Sequence, residues 1–292
     1  MTWVNAVLQG IFLGGLYALF ACGLSLLFGV MRIINLAHGD FAVLGAFLIW
    51  QISTSFGVSP FVALLPTLVV MLALGYVLQK TMLTRALRGG PLIPLLATFG
   101  LSIVIQNGLL QVFSADVRSL GGQAGPIAHA SWRITDQLSV PVLGVVVLAT
   151  AVAVLGGLQL VLRRTGIGRE MRATAQDADT AGLVGVPSSS VYARATAIAI
   201  ATATLAGMFL ALRSTFSAAS GPTQLIFAFE AVVIGGLGSL WGTLGGGIVL
   251  GVAQTVGAQF DPQWSILAGH LVFLLILATP RGRSLDLGGV RA

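Results

Sequence analysis

Residues 32–47 read "RIINLAHGDFAVLGAF", with a long apolar run on either side. Arg32, Asn35, His38 and Asp40 fall within nine residues before apolar sequence resumes. The flanking runs set the fold class, because only 8 % of the 292 residues are charged while 56 % are hydrophobic. A water-soluble domain carries about 25 % charged residues, and a third of that value cannot cover a water-facing surface. With a mean hydropathy of +0.97, the solvent for most of the chain is lipid. The sequence therefore reads as an all-α integral membrane protein.

A spanning helix needs about 20 mostly apolar residues. Candidate runs lie at 5–31, 36–56, 58–79, 91–113, 139–163, 190–212, 225–238, 242–260 and 264–279. They predict a polytopic helical bundle of eight or nine membrane segments, forming one domain over 1–292. The run at 225–238 is short and ends in "GGLGS", so it reads as a half-helix or as joined to the next segment. No cleavable signal pattern is expected, since "MTWVNAVLQG" lacks a basic leader and the first apolar run is too long.

The net charge of +6 and pI near 10.7 do not point to nucleic acid. The arginines gather at the ends of apolar runs, where they set orientation and meet anionic headgroups. Residues 80–90 carry Lys80, Arg85 and Arg88 without an acid, and Arg163, Arg164, Arg169 and Arg172 follow later. With Arg281, Arg283 and Arg291 at the C-terminus, these segments read as cytoplasmic. The 114–138 loop balances Arg118 and Arg133 against Asp116 and Asp136, and reads as outside. Alternation favours three crossings from 225 to 281, and an N-terminus outside if the first two runs both cross.

Most catalytic chemistry is missing. Lys80, the sole lysine, has Gln79 where a phosphate-cradling loop needs its second glycine. No serine sits in a G-x-S-x-G turn and there is no H-E-x-x-H. His38, His129 and His270 are too dispersed to suggest a metal site, and Cys22 has no disulfide partner. No residue reads as catalytic.

Three features remain. In the opening stretch Asn35 and Asp40 favour turns and caps, and Gly39 permits unusual backbone. Two readings stand side by side: a break inside the membrane lining a hydrated path, or a cytoplasmic turn with Arg32 at the headgroups. Glu230, in "IFAFEAVVIGG", is an ionisable group within a span and so a candidate for the transport path; its place near the start of that segment leaves a surface position open. Gly238, Gly242 and Gly246 are spaced four apart, as are Gly247 and Gly251, and Gly10 and Gly14. Such spacing makes grooves for close helix approach, within the chain or between subunits.

Four stretches resemble the permease subunits of the high-affinity branched-chain amino acid ABC importers (the LivH type). They are "INLAHGDFAVLGAF" (34–47), "LLATFGLSIVIQN" (95–107), "GREMRATAQDADTAGLVGV" (168–186) and "AVVIGGLGSLWGTLGGGIVLG" (231–251), in that family's order. The resemblance implies a fold similar to the ribose-type and vitamin B12-type (type II) importers, with a broken helix near the substrate path. It implies a second related permease, two cytoplasmic ATPases that hold ATP and magnesium, and an extracytoplasmic solute-binding protein. It also implies a bacterial cytoplasmic membrane and no cofactor on this chain.

Carried onto these residues, the resemblance favours the broken-helix reading at Asn35, His38, Gly39 and Asp40. It also implies a coupling segment at about 164–188, through Gly168, Arg169, Met171, Arg172, Ala175, Gln176, Asp177 and Gly185. At helical spacing Met171, Ala175, Ala178 and Gly182 would share one face, with Arg169, Arg172, Gln176 and Asp179 on others. Glu230 departs from the family pattern, where a small or uncharged residue is usual. Branched-chain or related small amino acids are the implied cargo, with urea and amides open. The rival readings are a proton- or sodium-coupled carrier using Glu230 and Asp40, and a membrane protein whose glycine grooves serve packing alone.

Overall fold

The computed structural model describes residues 2–90, 92–128, 130–135 and 138–279. His129, Asp136 and the C-terminal Arg281, Arg283 and Arg291 lie outside the described residues. Among those described, seven helices are long and apolar enough to cross a membrane, and Gly221–Gly235 and Trp264–Ala278 are shorter apolar helices. Twelve α-helices follow one another. They are α1 (Thr2–Met31), α2 (His38–Phe56), α3 (Pro60–Leu78), α4 (Thr84–Leu87), α5 (Leu92–Phe113), α6 (Val142–Arg164), α7 (Gly166–Gln176), α8 (Ala178–Leu183), α9 (Ser188–Arg213), α10 (Gly221–Gly235), α11 (Leu240–Phe260) and α12 (Trp264–Ala278). One small hairpin, β1 (Ser131–Thr135) with β2 (Leu138–Pro141), pairs antiparallel ahead of α6.

The bundle is organised around α1, which is buried over most of its length and packs on α6, α9, α10 and α11. Gly14 faces Ile248 and Gly29 faces Gly238, so α1 and α11 run antiparallel. The glycines make this seam. Gly247 and Gly251 lie against Gly14 and Gly10, while Gly242 and Gly246 lie against Gly235 and Ala231 of α10. The predicted grooves therefore serve two neighbours within the chain. Gly238 corrects the four-residue pattern. It precedes α11 in a turn where Gly236 (φ +91°) and Gly238 (φ +81°) take left-handed backbone, so it shares no helix face with Gly242.

Two sets of contacts define the ends of the bundle. At one end Lys80 donates to Ser190 (2.8 Å), Glu170 pairs with Arg194, and α7 and α8 close the surface. At the other, the Arg118 amide donates to the Phe216 carbonyl (2.8 Å) and Gln123 donates to Thr54 (3.0 Å). The first is the arginine-rich end and the second the hairpin end. Residues 80–87, part of the basic 80–90 segment, continue α3 as helix through a wide turn at Gln79–Leu83. There Gln79 is buried and its side-chain oxygen accepts from Thr196 at 2.7 Å, a polar tie that hydropathy does not register.

Candidate functional site

The polar stretch breaks the chain inside the bundle rather than at its surface. Helix α1 ends where Arg32 turns left-handed (φ +53°), a conformation that costs a non-glycine residue roughly 1–2 kcal/mol. Residues 32–37 then climb back along α1 to the level of Phe20, whose carbonyl lies 2.9 Å from His38 Nε2. Residues 35–38 close a turn of their own, the His38 amide donating to the Asn35 carbonyl at 3.1 Å. The Asn35 side-chain oxygen accepts from the Ala37 amide at 3.0 Å, fixing the turn.

Helix α2 thus starts at mid-bundle and runs to the hairpin end, where Phe47 meets Phe216 and Trp50 meets the Arg118 guanidinium. Two polar links hold its beginning to α5. The Leu36 amide donates to Thr98 Oγ1 at 3.2 Å, and Ser102 Oγ donates to Asp40 Oδ2 at 2.5 Å. Helix α10 begins on the other side of Asp40. A Cβ on Gly39 would overlap the Gly221 carbonyl, and one on Gly221 would overlap the Asp40 carboxyl group. Only glycine fits at either position. The first turns of α2 and α10, whose amides carry partial positive charge, therefore meet at Asp40.

Asn35, His38, Gly39, Asp40 and Glu230 are all buried. The first four form one cluster at the α1–α2 break, and Asn35 Nδ2, His38 Nδ1 and Asp40 Oδ1 have no hydrogen-bond partner among the described residues. Glu230 belongs to a second cluster. Its Oε1 lies 2.5 Å from His270 Nδ1 of α12, and Phe227 stacks between His270 and Tyr17. The Tyr17 hydroxyl donates to Gln254 at 2.5 Å. Glu230 is thus covered by α12. The sequence reading missed His270 as its partner. The signal was present, since isolated polar residues in apolar spans seek one another.

The 164–188 segment also departs from expectation. It forms two helices, because Asp177 leaves helical geometry and caps α8 by accepting from the Asp179 and Thr180 amides (3.0 and 3.1 Å). The bonds from Thr180 and Asp179 hold the Asp177 carboxyl below the usual carboxylate range. The single face drawn through Met171, Ala175, Ala178 and Gly182 is broken at that cap. Met171 is buried against α1 and α6, and a Cβ on Gly168 would overlap the last carbonyls of α6. Gly168 and Met171 therefore pack α7 onto its own bundle. Arg172 and the half-buried Ala175 line a cavity of about 230 Å³ between α1, α6 and α7. Arg169, Gln176, Asp177 and Gly185 (φ +87°) are exposed. So are Leu183 (88 %) and Val184 (77 %), two apolar residues at the tip of that segment.

A family model described as "Branched-chain amino acid transport system / permease component" matches residues 6–279. The chain is 28 % identical to the high-affinity branched-chain amino acid transport system permease protein BraD of Pseudomonas aeruginosa, over 96 % of this chain and 95 % of that protein. It is equally 28 % identical to LivH of Escherichia coli, over 96 % and 94 %. A fructose import permease protein, FrcC of Rhizobium meliloti, is 28 % identical over 84 % of this chain and 69 % of its own. With a match from the first turn of α1 to the end of α12, over an all-α polytopic fold, this chain belongs to the branched-chain amino acid transport permease family.

Proposed function

We propose that this permease carries branched-chain or related small amino acids across a bacterial cytoplasmic membrane as one subunit of an ABC importer. The arginine-rich end faces the cytoplasm, by the excess of basic residues there, and the hairpin end faces an extracytoplasmic solute-binding protein. Residues 80–90, 164–188 and the C-terminus are then cytoplasmic. A second, related permease completes the membrane unit. Two partner ATPases bind ATP and magnesium, and their cycle shifts the permease between its two access states. The cargo assignment rests on the similarity to the branched-chain amino acid permeases BraD and LivH. Family membership weighs against the proton- or sodium-coupled reading of Asp40 and Glu230.

The observation that carries the ATPase reading is the Leu183–Val184 tip. Two exposed apolar side chains project from a short helix held by the Asp177 cap, while the Arg194–Glu170 pair ties α7 to α9. A rigid base with an apolar tip suits a cleft on a partner. Fully burying a leucine contributes roughly 1.5–3 kcal/mol, about a ten- to hundredfold change in affinity. Leu183→Asp should leave the permease inserted and folded, yet reduce co-purification of the ATPases and solute-stimulated ATP turnover by that factor. Unchanged assembly in Leu183→Asp and in Val184→Asp would remove the tip from the docking surface.

A further inference from the structure

We propose that one face of α5, running through Gly100, Asn107, Gly108 and Gln111, lines the solute path; this rests on the permease reading above. At 3.6 residues per turn these positions share a single stripe with Val104. All five are exposed. Thr98, Ser102 and Leu109, diametrically opposite, are buried. A Cβ at Gly100 or Gly108 would meet nothing within 4 Å.

The chemistry of the stripe is wrong for lipid. A helix facing hydrocarbon on its outer side places its most apolar residues there, as α3 does with Leu65, Val69 and Val70. Helix α5 is apolar on the flanks of this stripe, at Leu96, Phe99, Ile103 and Val112, but places two carboxamides within it. Asn107 Nδ2 donates to the Ile103 carbonyl at 2.8 Å, which leaves its side-chain oxygen outward. Gln111 makes no hydrogen bond with another described residue. Uncompensated amides at membrane depth are unfavourable, so this face meets water. From Gly100 to Gln111 the stripe extends about 17 Å, roughly half the hydrocarbon thickness, on the side of the hairpin end. Amides offer both donors and acceptors, and so suit the ammonium and carboxylate of a small zwitterion without holding either strongly. The two glycines keep the wall smooth between them.

The reverse face ties this wall to the break in the bundle. Thr98 accepts from Leu36, Ser102 donates to Asp40, and the Gln106 side-chain amide donates to Ser102 at 3.0 Å. Asp40 in turn abuts the start of α10. A displacement of α5 by passing solute is therefore felt directly by the first turns of α2 and α10. The buried Asp40 sits behind the wall and positions it, while Asn107 and Gln111 meet the solute.

The test uses the assembled importer in lipid vesicles, in a Cys22→Ser background. Single Asn107→Cys and Gln111→Cys variants are treated with a charged, membrane-impermeant thiol reagent. Leu65→Cys and Val69→Cys on α3 serve as lipid-facing references. The expected result is labelling at least tenfold faster at 107 and 111 than at 65 and 69, slowed by saturating leucine-loaded binding protein. Rates at 107 and 111 as low as the references overturn the assignment. So does cross-linking of these cysteines to the second permease without aqueous labelling, which would make the stripe a dry subunit contact. Uptake by the Cys22→Ser importer is scored separately. Normal uptake without a labelling contrast sinks the path assignment alone, and a contrast without ATP-driven uptake sinks the importer reading alone.

Discussion

The α1–α11 seam gives the sharpest quantitative test of how this bundle is held together. Gly245 and Gly247 lie two residues apart in α11 and face different surroundings. A Cβ on Gly247 would sit 2.6 Å from the Gly14 carbonyl oxygen and 3.0 Å from the Ala18 amide nitrogen, whereas one on Gly245 would meet nothing within 4 Å. Close carbon–oxygen contacts run at about 3.3–3.6 Å, so Gly247→Ala forces the helices apart by roughly 0.7 Å. Because the obstacle is backbone, no side-chain rotation relieves it. A gap of about 0.5–1 Å forfeits a quarter to a half of the dispersion well across it, and overpacking of this kind costs about 1–3 kcal/mol. Both alanines gain the same helix propensity, roughly 0.5–1 kcal/mol, which cancels in the comparison. Gly247→Ala should therefore be less stable than Gly245→Ala by about 1–3 kcal/mol, or about five- to a hundredfold in the unfolding equilibrium. Equilibrium unfolding of the purified chain in mixed detergent micelles measures the difference. A gap below about 0.5 kcal/mol, within the usual scatter of surface substitutions, would refute close backbone approach as the basis of the seam.

Two further outcomes follow from the polar groups. Ser102→Ala removes the donor to a buried carboxyl oxygen and should destabilise the chain by about 1–3 kcal/mol, while Ser102→Thr, which keeps the hydroxyl, should lose much less; equal losses in micelle unfolding would deny the Asp40 link any energetic role. At the cytoplasmic segment, the bonds from Thr180 and Asp179 lower the folded-state value of Asp177 below its ordinary 3.8. The α8 cap is then fully present above the unfolded value and is lost only as pH falls through the lower folded one. Amide resonances of Asp179 and Thr180 followed against pH should titrate with a midpoint under 3.8, and a midpoint at or above it would contradict the cap.

The amino-acid sequence alone determined the medium and placed the long apolar helices to within about four residues at each end, while leaving their count at eight or nine. The scarcity of charge excludes a water-facing surface, and apolar runs of spanning length can satisfy their backbone only as helices. The run at 242–260 became α11 at Leu240–Phe260, and 264–279 became α12 at Trp264–Ala278. The presence of a break near Asn35–Asp40 was also legible, because turn-forming and polar residues interrupt apolar sequence. Its depth was not. Hydropathy carries no coordinate along the membrane normal, and only the contacts of His38 with Phe20 and Asp40 with Ser102 put the start of α2 at mid-bundle. Faces were equally hidden where helices are apolar all round, since no polar side marks which stripe turns inward. Tertiary packing alone assigned Gly247 and Gly251 to α1, Gly242 and Gly246 to α10, and Met171 to the interior. It alone joined Glu230 to His270, forty residues later, because partners in a bundle are chosen by helix adjacency in space and not by order along the chain.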